Sequence, residues 1–439
     1  MAFDRLFRNA RLADRDGPVD LGIRAGRFAA VEPDLEHEGP VEDLGGRLVV
    51  PGLVETHLHL DKACLSDRCP CGGGLAEAIA AVARAKRAFT EADVYARAET
   101  VLRRAIGHGT NRVRTHVEVD PRVGLTSFRA LLRLKADYAW AVDLALCAFP
   151  QEGLLDDPGC EDVLVAALEA GADLVGGAPY VDRDPAGQIR RIFALARRFD
   201  VDVDLHLDFD LDPEGATFET VCRETDAAGW GGRVAIGHVT KLSAMAPEAF
   251  AAAALRLAGA GVAVTVLPAT DLFLMGRDRD RDVPRGVSHA HRLAAMGVTC
   301  SIATNNVLNP FTPYGDGSLI RMANLYANVA QVAAPDDLAR CLDLVTGQAA
   351  RLMRLDHRVA PGAPADLVVL DARDPAEAVA AVAPALLGLR AGRTVFERPA
   401  VRLHDPGLGD PGPSDPSPSD PDPRSPPPRP AEQLRAPRR

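Results

Sequence analysis

The chain has 439 residues, of which 47% are hydrophobic and 25% charged, with a formal net charge of −11. That length is too great for one small core and suits a barrel of ~250 residues plus a smaller domain. The acidic balance excludes a nucleic-acid-binding face, which needs a basic surface. No apolar run of ~18 residues is available to span a bilayer, and the opening Met1-Ala2-Phe3-Asp4-Arg5 lacks a signal-peptide core, so a cytoplasmic chain is expected.

In chain order, short strands are expected over 4–12, 19–24 and 27–31, followed by a buried apolar run over 48–54. Strand candidates then recur near 52–58, 111–119, 140–148, 173–178, 201–207, 233–238, 262–267 and 298–303. Between them lie stretches with helical spacing, among them 75–106, 125–139, 160–170, 188–199, 217–228 and 247–258. Alternation of this kind predicts a parallel (β/α)8 TIM barrel. No Gly-x-Gly-x-x-Gly follows the first strand, which argues against a doubly wound sheet.

Short strands return in Gly362–Leu370 and Gly388–Phe396, so both chain ends should pair into one small β-sandwich domain. The expected layout is therefore 1–50 and 356–400 for the sandwich and 51–355 for the barrel. A Pro-rich tail, 405–439, carries too little apolar surface to order itself. Eight scattered cysteines read as reduced core thiols, and Cys69-Pro70-Cys71 as a loop.

Barrels place their chemistry at the C-terminal ends of strands. Five of the eleven histidines fall there: His57 and His59 on strand one, His116 on strand two, His206 on strand five and His238 on strand six. A two-residue pleat puts His57 and His59 on one face. Neutral imidazoles converging on one rim suit a divalent metal, Zn or Fe, with an open position for water.

Val50-Pro51-Gly52-Leu53-Val54-Glu55-Thr56-His57-Leu58-His59-Leu60-Asp61-Lys62 resembles the opening signature of the amidohydrolase superfamily. Arg114-Thr115-His116-Val117, Ala148-Phe149-Pro150-Gln151-Glu152-Gly153 and Gly237-His238-Val239-Thr240 resemble its cytosine deaminase-like branch. The resemblance implies that His57, His59, His206 and His238 hold one metal ion. It also implies that Gln151 reads a ring carbonyl and nitrogen, that His116 faces the same pocket, and that metal-activated water attacks a C–N bond of a small cyclic nitrogenous substrate.

Two positions depart from the family pattern. Its strand-five His-x-x-Glu is here His206-Leu207-Asp208-Phe209, and its strand-eight Asp is here Asn305. An amide oxygen can ligate metal but accepts no proton at neutral pH, so Asn305 is kept as a ligand candidate only. Asp208 shares a strand face with His206 and is a candidate base; the alternative is that it caps the next helix or orients a histidine. His238 and Asp271 join it as catalytic candidates, and Glu118 and Asp120 share the face of His116. Asn306 with Gln151 is expected to orient substrate, and Lys241 either binds an anionic substrate or pairs at the surface.

The leading expectation is a metal-dependent hydrolase of non-peptide C–N bonds with a small-molecule partner. A silent ligand-binding relative and a lyase or isomerase built on Asp and Lys residues are the alternatives. Barrels of this kind commonly form homo-oligomers, although no interface pattern marks one in this sequence.

Overall fold

The computed structural model of the protein describes residues 3–399 and 401, so the expected tail 405–439 lies outside the described residues. Eight parallel strands run side by side in chain order: Leu53–Leu58, Thr110–Glu118, Asp143–Phe149, Leu174–Gly177, Asp202–Leu207, Val234–His238, Val262–Val266 and Cys300–Ile302. They match the eight expected segments to within a few residues. Several, including Leu53–Leu58 and Val262–Val266, are buried along their whole length, as strands covered by helices on the outside and packed side chains on the inside must be.

The barrel closes between its first strand and the segment after its last. Leu58 bridges Asn305, with Asn305 N donating to His57 O and His59 N donating to Asn305 O, both at 2.8 Å. Beneath this bridge the Glu55 carboxylate accepts from the backbone N–H groups of His57 and Thr304. Burial pushes the Glu55 carboxyl up to about 7.

The apolar run over 48–54 divides into two strands, Leu48–Val50 and Leu53–Leu58, at Pro51-Gly52. Gly52 has φ 113, and a Cβ there would collide with the Asn111 amide, which donates to Pro51 O. This turn carries the chain from one sheet to the other. The single helical stretch expected over 75–106 is in fact two helices, Leu75–Ala85 and Glu91–Gly107, separated by a 3-10 turn at Lys86–Ala88. Thr90 starts the second helix by accepting from Asp93 N, and the break turns Lys86 inward.

Strands from both chain ends join in one eight-stranded sheet. Arg5–Arg11 pairs antiparallel with Pro18–Arg24, and Leu48–Val50 pairs antiparallel with Leu367–Leu370 through partners such as Val49 and Val369. Phe7, Leu21, Phe28, Val49, Leu367 and Leu389 fill its core, which is separate from that of the barrel. No helix among the described residues is long and apolar enough to cross a membrane.

Candidate active site

The first strand ends at Leu58, and its pleat directs His57 and His59 into the barrel, where both are at most 1% exposed. Strand five brings His206 to meet them: its Nε2 lies 3.1 Å from His57 Nε2 and 2.9 Å from His59 Nε2. A ring nitrogen of His238 stands within 4.8 Å of those of His57 and His206. Burial, then neighbouring imidazoles and (for His59 and His206) Lys62, hold His57, His59 and His206 well below the usual histidine range, so all three are neutral.

A single Nε2 on His206 has one in-plane lone pair or one proton, which serves two neighbours badly. A cation among the three would satisfy them all. Asn305 adds a side chain whose Oδ1 and Nδ2 are both buried without a partner. Its φ of 63 is a left-handed conformation that Asn tolerates well. Three neutral imidazoles and an orphaned amide oxygen are the donor set of a divalent transition metal, so the site fits the expected ion.

His238 sits at a strained strand end, with φ 70 followed by 45 at the β-branched Val239. Its Nδ1 is 2.6 Å from Asp271 Oδ1. With the carboxylate as acceptor, the proton rests on Nδ1 and the Nε2 lone pair faces the cluster. Burial raises the Asp271 carboxyl, against the opposing pull of His238.

Below the cluster, Asp204 accepts from Arg114 Nη1 at 2.8 Å and lies 3.6 Å from His116 Nε2 and 3.9 Å from His57 Nδ1. Burial works to raise its carboxyl, but His116 and Arg114 outweigh that and hold it low.

At Asp208 and Lys241 the structure takes the second of the two readings open from the sequence, capping and pairing, and at His116 the expectation is corrected. The strand-five pleat breaks at Asp208, whose φ is 50, so its side chain leaves the His206 face. Its carboxylate accepts from Thr217 N, Thr217 Oγ1 and Phe218 N, at the start of helix Phe218–Ala228, and does not line the cavity beside the histidines. Phe209 takes the inward position and stacks on His238. Lys241 spends its ammonium on Asp212 O, Glu214 O and the Asp210 carboxylate, steadying the loop after strand five instead of facing a ligand. Strand two runs on to Glu118, so His116 lies one pleat behind the rim, stacked on His57 at 3.9 Å, and outside the cavity.

Gln151 and Asn306 do line that cavity, a tight space of about 10 Å³. A residue given no role from sequence joins them there. Lys62 is 1% exposed and donates to Glu118 Oε1 at 2.6 Å and to Gln151 Oε1 at 2.9 Å. Glu118 also pairs with Lys86, which reaches Asp120 and Glu152. Burial opposes ionisation of Glu118, but the two lysines outweigh it and hold the carboxyl low. The available signals were the position of Lys62 three residues past His59 and that of Glu118 two past His116.

Comparison with known proteins places this geometry in context. A model of the amidohydrolase family matches residues 113–396. The chain is 32% identical over 338 residues to pterin deaminase of Rhizobium rhizogenes, covering 75% of this chain and 76% of the relative. It is 28% identical over 409 residues to N-isopropylammelide isopropyl amidohydrolase of a Pseudomonas species, covering 90% of this chain and 97% of the relative. Among solved structures, 5-methylcytosine deaminase of Klebsiella pneumoniae with 5-fluorocytosine superposes with a TM-score of 0.87 at 29% identity, over 92% of this chain and all (100%) of that one.

Proposed function

The chain belongs to the amidohydrolase family, and from that premise we propose a metal-dependent hydrolase in which His238 and Asp271 manage the proton. It acts on a non-peptide C–N bond of a small cyclic substrate, by deamination or amide opening. His57, His59, His206 and the Asn305 amide oxygen would hold zinc or iron. His238, expected among the ligands, is near enough to His57 and His206 to join them, but it is assigned instead to the proton because Asp271 holds its other nitrogen. When bound, the ion supplies Lewis acidity that makes a water acidic enough to attack near neutral pH.

The chain's own groups do the rest. Asp271 fixes the His238 tautomer, so Nε2 accepts a proton from the attacking water and returns it to the leaving nitrogen. Phe209 lies flat on His238, keeps bulk water from that face and limits how the imidazole can turn. Lys62, Gln151 and Asn306 orient the ring at the cavity wall. Leu65, Phe209 and Phe311 belong to the apolar cluster beside it.

One observation carries this reading: a 2.6 Å His238–Asp271 contact beside three converging imidazole nitrogens. The test is metal analysis of the purified full-length protein, with ammonia and amine release measured across pyrimidines, triazines and pterins. One equivalent of zinc or iron and chelator-sensitive release are expected. Failure to retain either metal after reconstitution would sink the proposal.

A further inference from the structure

Strands two and five are not neighbours; strands three and four lie between them. A contact from one to the other therefore crosses the inside of the barrel. Arg114 and Asp204 make that crossing: Arg114 Nη1 donates to Asp204 Oδ2 at 2.8 Å, with the two side chains 5% and 0% exposed. Barrel interiors are ordinarily filled with branched apolar side chains. Taking two charges out of water is expensive, and well-packed apolar residues in place of such a pair are often neutral or stabilising. Folding stability is thus a poor reason for an ion pair at this place.

Its position offers another reason. Asp204 Oδ1, the oxygen that Arg114 does not take, stands 3.9 Å from His57 Nδ1 and 3.6 Å from His116 Nε2. All three atoms are buried and without a hydrogen-bond partner. His57 presents its other nitrogen, Nε2, to the histidine cluster, 3.1 Å from His206 Nε2. A neutral imidazole that ligates through Nε2 must carry its proton on Nδ1. At 3.9 Å the carboxylate is beyond hydrogen-bond length, yet a full negative charge in a dry interior acts well past contact and favours the tautomer whose N–H points at it. His116 stacks on His57 with ring centroids 3.9 Å apart, which hinders the flip that would exchange the two nitrogens. The three atoms suit a second cation poorly. The two rings are stacked with planes 29° apart, so their in-plane lone pairs run nearly side by side, and Arg114 already supplies the positive charge that Asp204 needs.

We propose that Arg114 and Asp204 are positioning residues for the metal centre. The guanidinium fixes the carboxylate, and the carboxylate keeps the His57 proton on Nδ1, so that Nε2 is left as the ligating lone pair. Neither residue lines the cavity where Gln151 and Asn306 stand, so neither touches substrate. The inference rests on the metal centre of the hydrolase reading and goes beyond it by assigning the groups that hold one ligand in its ligating form.

The test uses the full-length protein and Zn²⁺, with affinity read by competition against a chromophoric chelator and, after exchange for Co²⁺, with the ligand-field spectrum. Asp204→Asn keeps the shape of the side chain and removes its charge; zinc affinity should fall about 10- to 100-fold and the cobalt bands should shift. Because that variant strands the Arg114 cation, Arg114→Met combined with Asp204→Leu provides a second test. Both charges are then gone, so the urea unfolding midpoint should hold or rise while zinc affinity falls about 10-fold or more. A folded double variant with native zinc affinity and a native cobalt spectrum would overturn the proposal. Lower stability with zinc binding intact would overturn it too, by assigning the pair to the fold alone. Ammonia and amine release from pyrimidines, triazines and pterins is followed separately on the native protein. Weakened zinc binding in both variants of a protein that hydrolyses no ring would defeat the hydrolase reading and leave the positioning role standing; unchanged zinc affinity in variants of a protein that does hydrolyse one would do the reverse.

Discussion

Phe209 lies against His238 with ring centroids 3.7 Å apart and planes inclined by 28°, while Asp271 grips the same imidazole from its Nδ1 edge at 2.6 Å. One histidine is therefore pinned both on its face and at its edge. Phe209→Ala should release the face. Loss of a buried phenylalanine from the cluster with Leu65, Leu274 and Phe311 is expected to cost about 3 kcal/mol of folding stability, read by urea denaturation.

Asp271→Asn keeps the shape of the edge contact but lets the imidazole tautomer exchange. Turnover should fall by about 10²-fold or more, with metal content unchanged. Full activity in that variant would remove His238 from proton transfer.

For Asp208 the expected loss is structural. Removing a carboxylate that caps helix Phe218–Ala228 should cost about 1 kcal/mol, measured by thermal or urea unfolding. Turnover per folded molecule should hold. A fall of ~10²-fold would instead return Asp208 to the role of base.

Asn305→Asp replaces an amide oxygen with a carboxylate at the mouth of the histidine cluster. Metal affinity should rise by about 10-fold or more, as judged by competition with a chelator. No change in affinity would place Asn305 outside the ligand set.

Acid sensitivity should reside partly in His357, which burial lowers from 6.5 to about 4 and whose Nε2 donates to Gly52 O at 3.2 Å. The unfolded chain takes up this proton below about 6.5, whereas the folded chain resists it until about 4. Its contribution to stability is thus complete above pH 6.5 and is lost as pH falls through that window. His357→Gln should flatten the pH dependence of the unfolding midpoint between those values.

Much of this architecture was legible because its signals are periodic. Buried strands separated by helical stretches gave away the barrel, and a His-x-His on one pleat gave away the start of the cluster. What escaped depended on where periodicity stops. Asp208 follows His206 by two residues, yet a left-handed φ at Asp208 itself ends the alternation there. The strand over 111–119 is found almost as expected, but His116 lies three residues before the end of that span, so the rim itself falls at Glu118. Lys62 had no visible partner in its own segment. Its meaning comes from Glu118 and Gln151, 56 and 89 residues away in the chain, a relation that the side-by-side pairing of strands one, two and three creates.

Closure of the barrel has a consequence for how the chain matures. The bridge between Leu58 and Asn305 is also the place where His57, His59 and Asn305 share backbone hydrogen bonds, so the zipper that seals the ring is built from the same residues as the site. Its two sides are separated by most of the barrel's sequence, and such distant pairings come late in folding. A half-finished chain therefore has no competent site to offer. An ion held jointly by His57, His59 and Asn305 would act as a rivet, tying the first strand to the segment after the last.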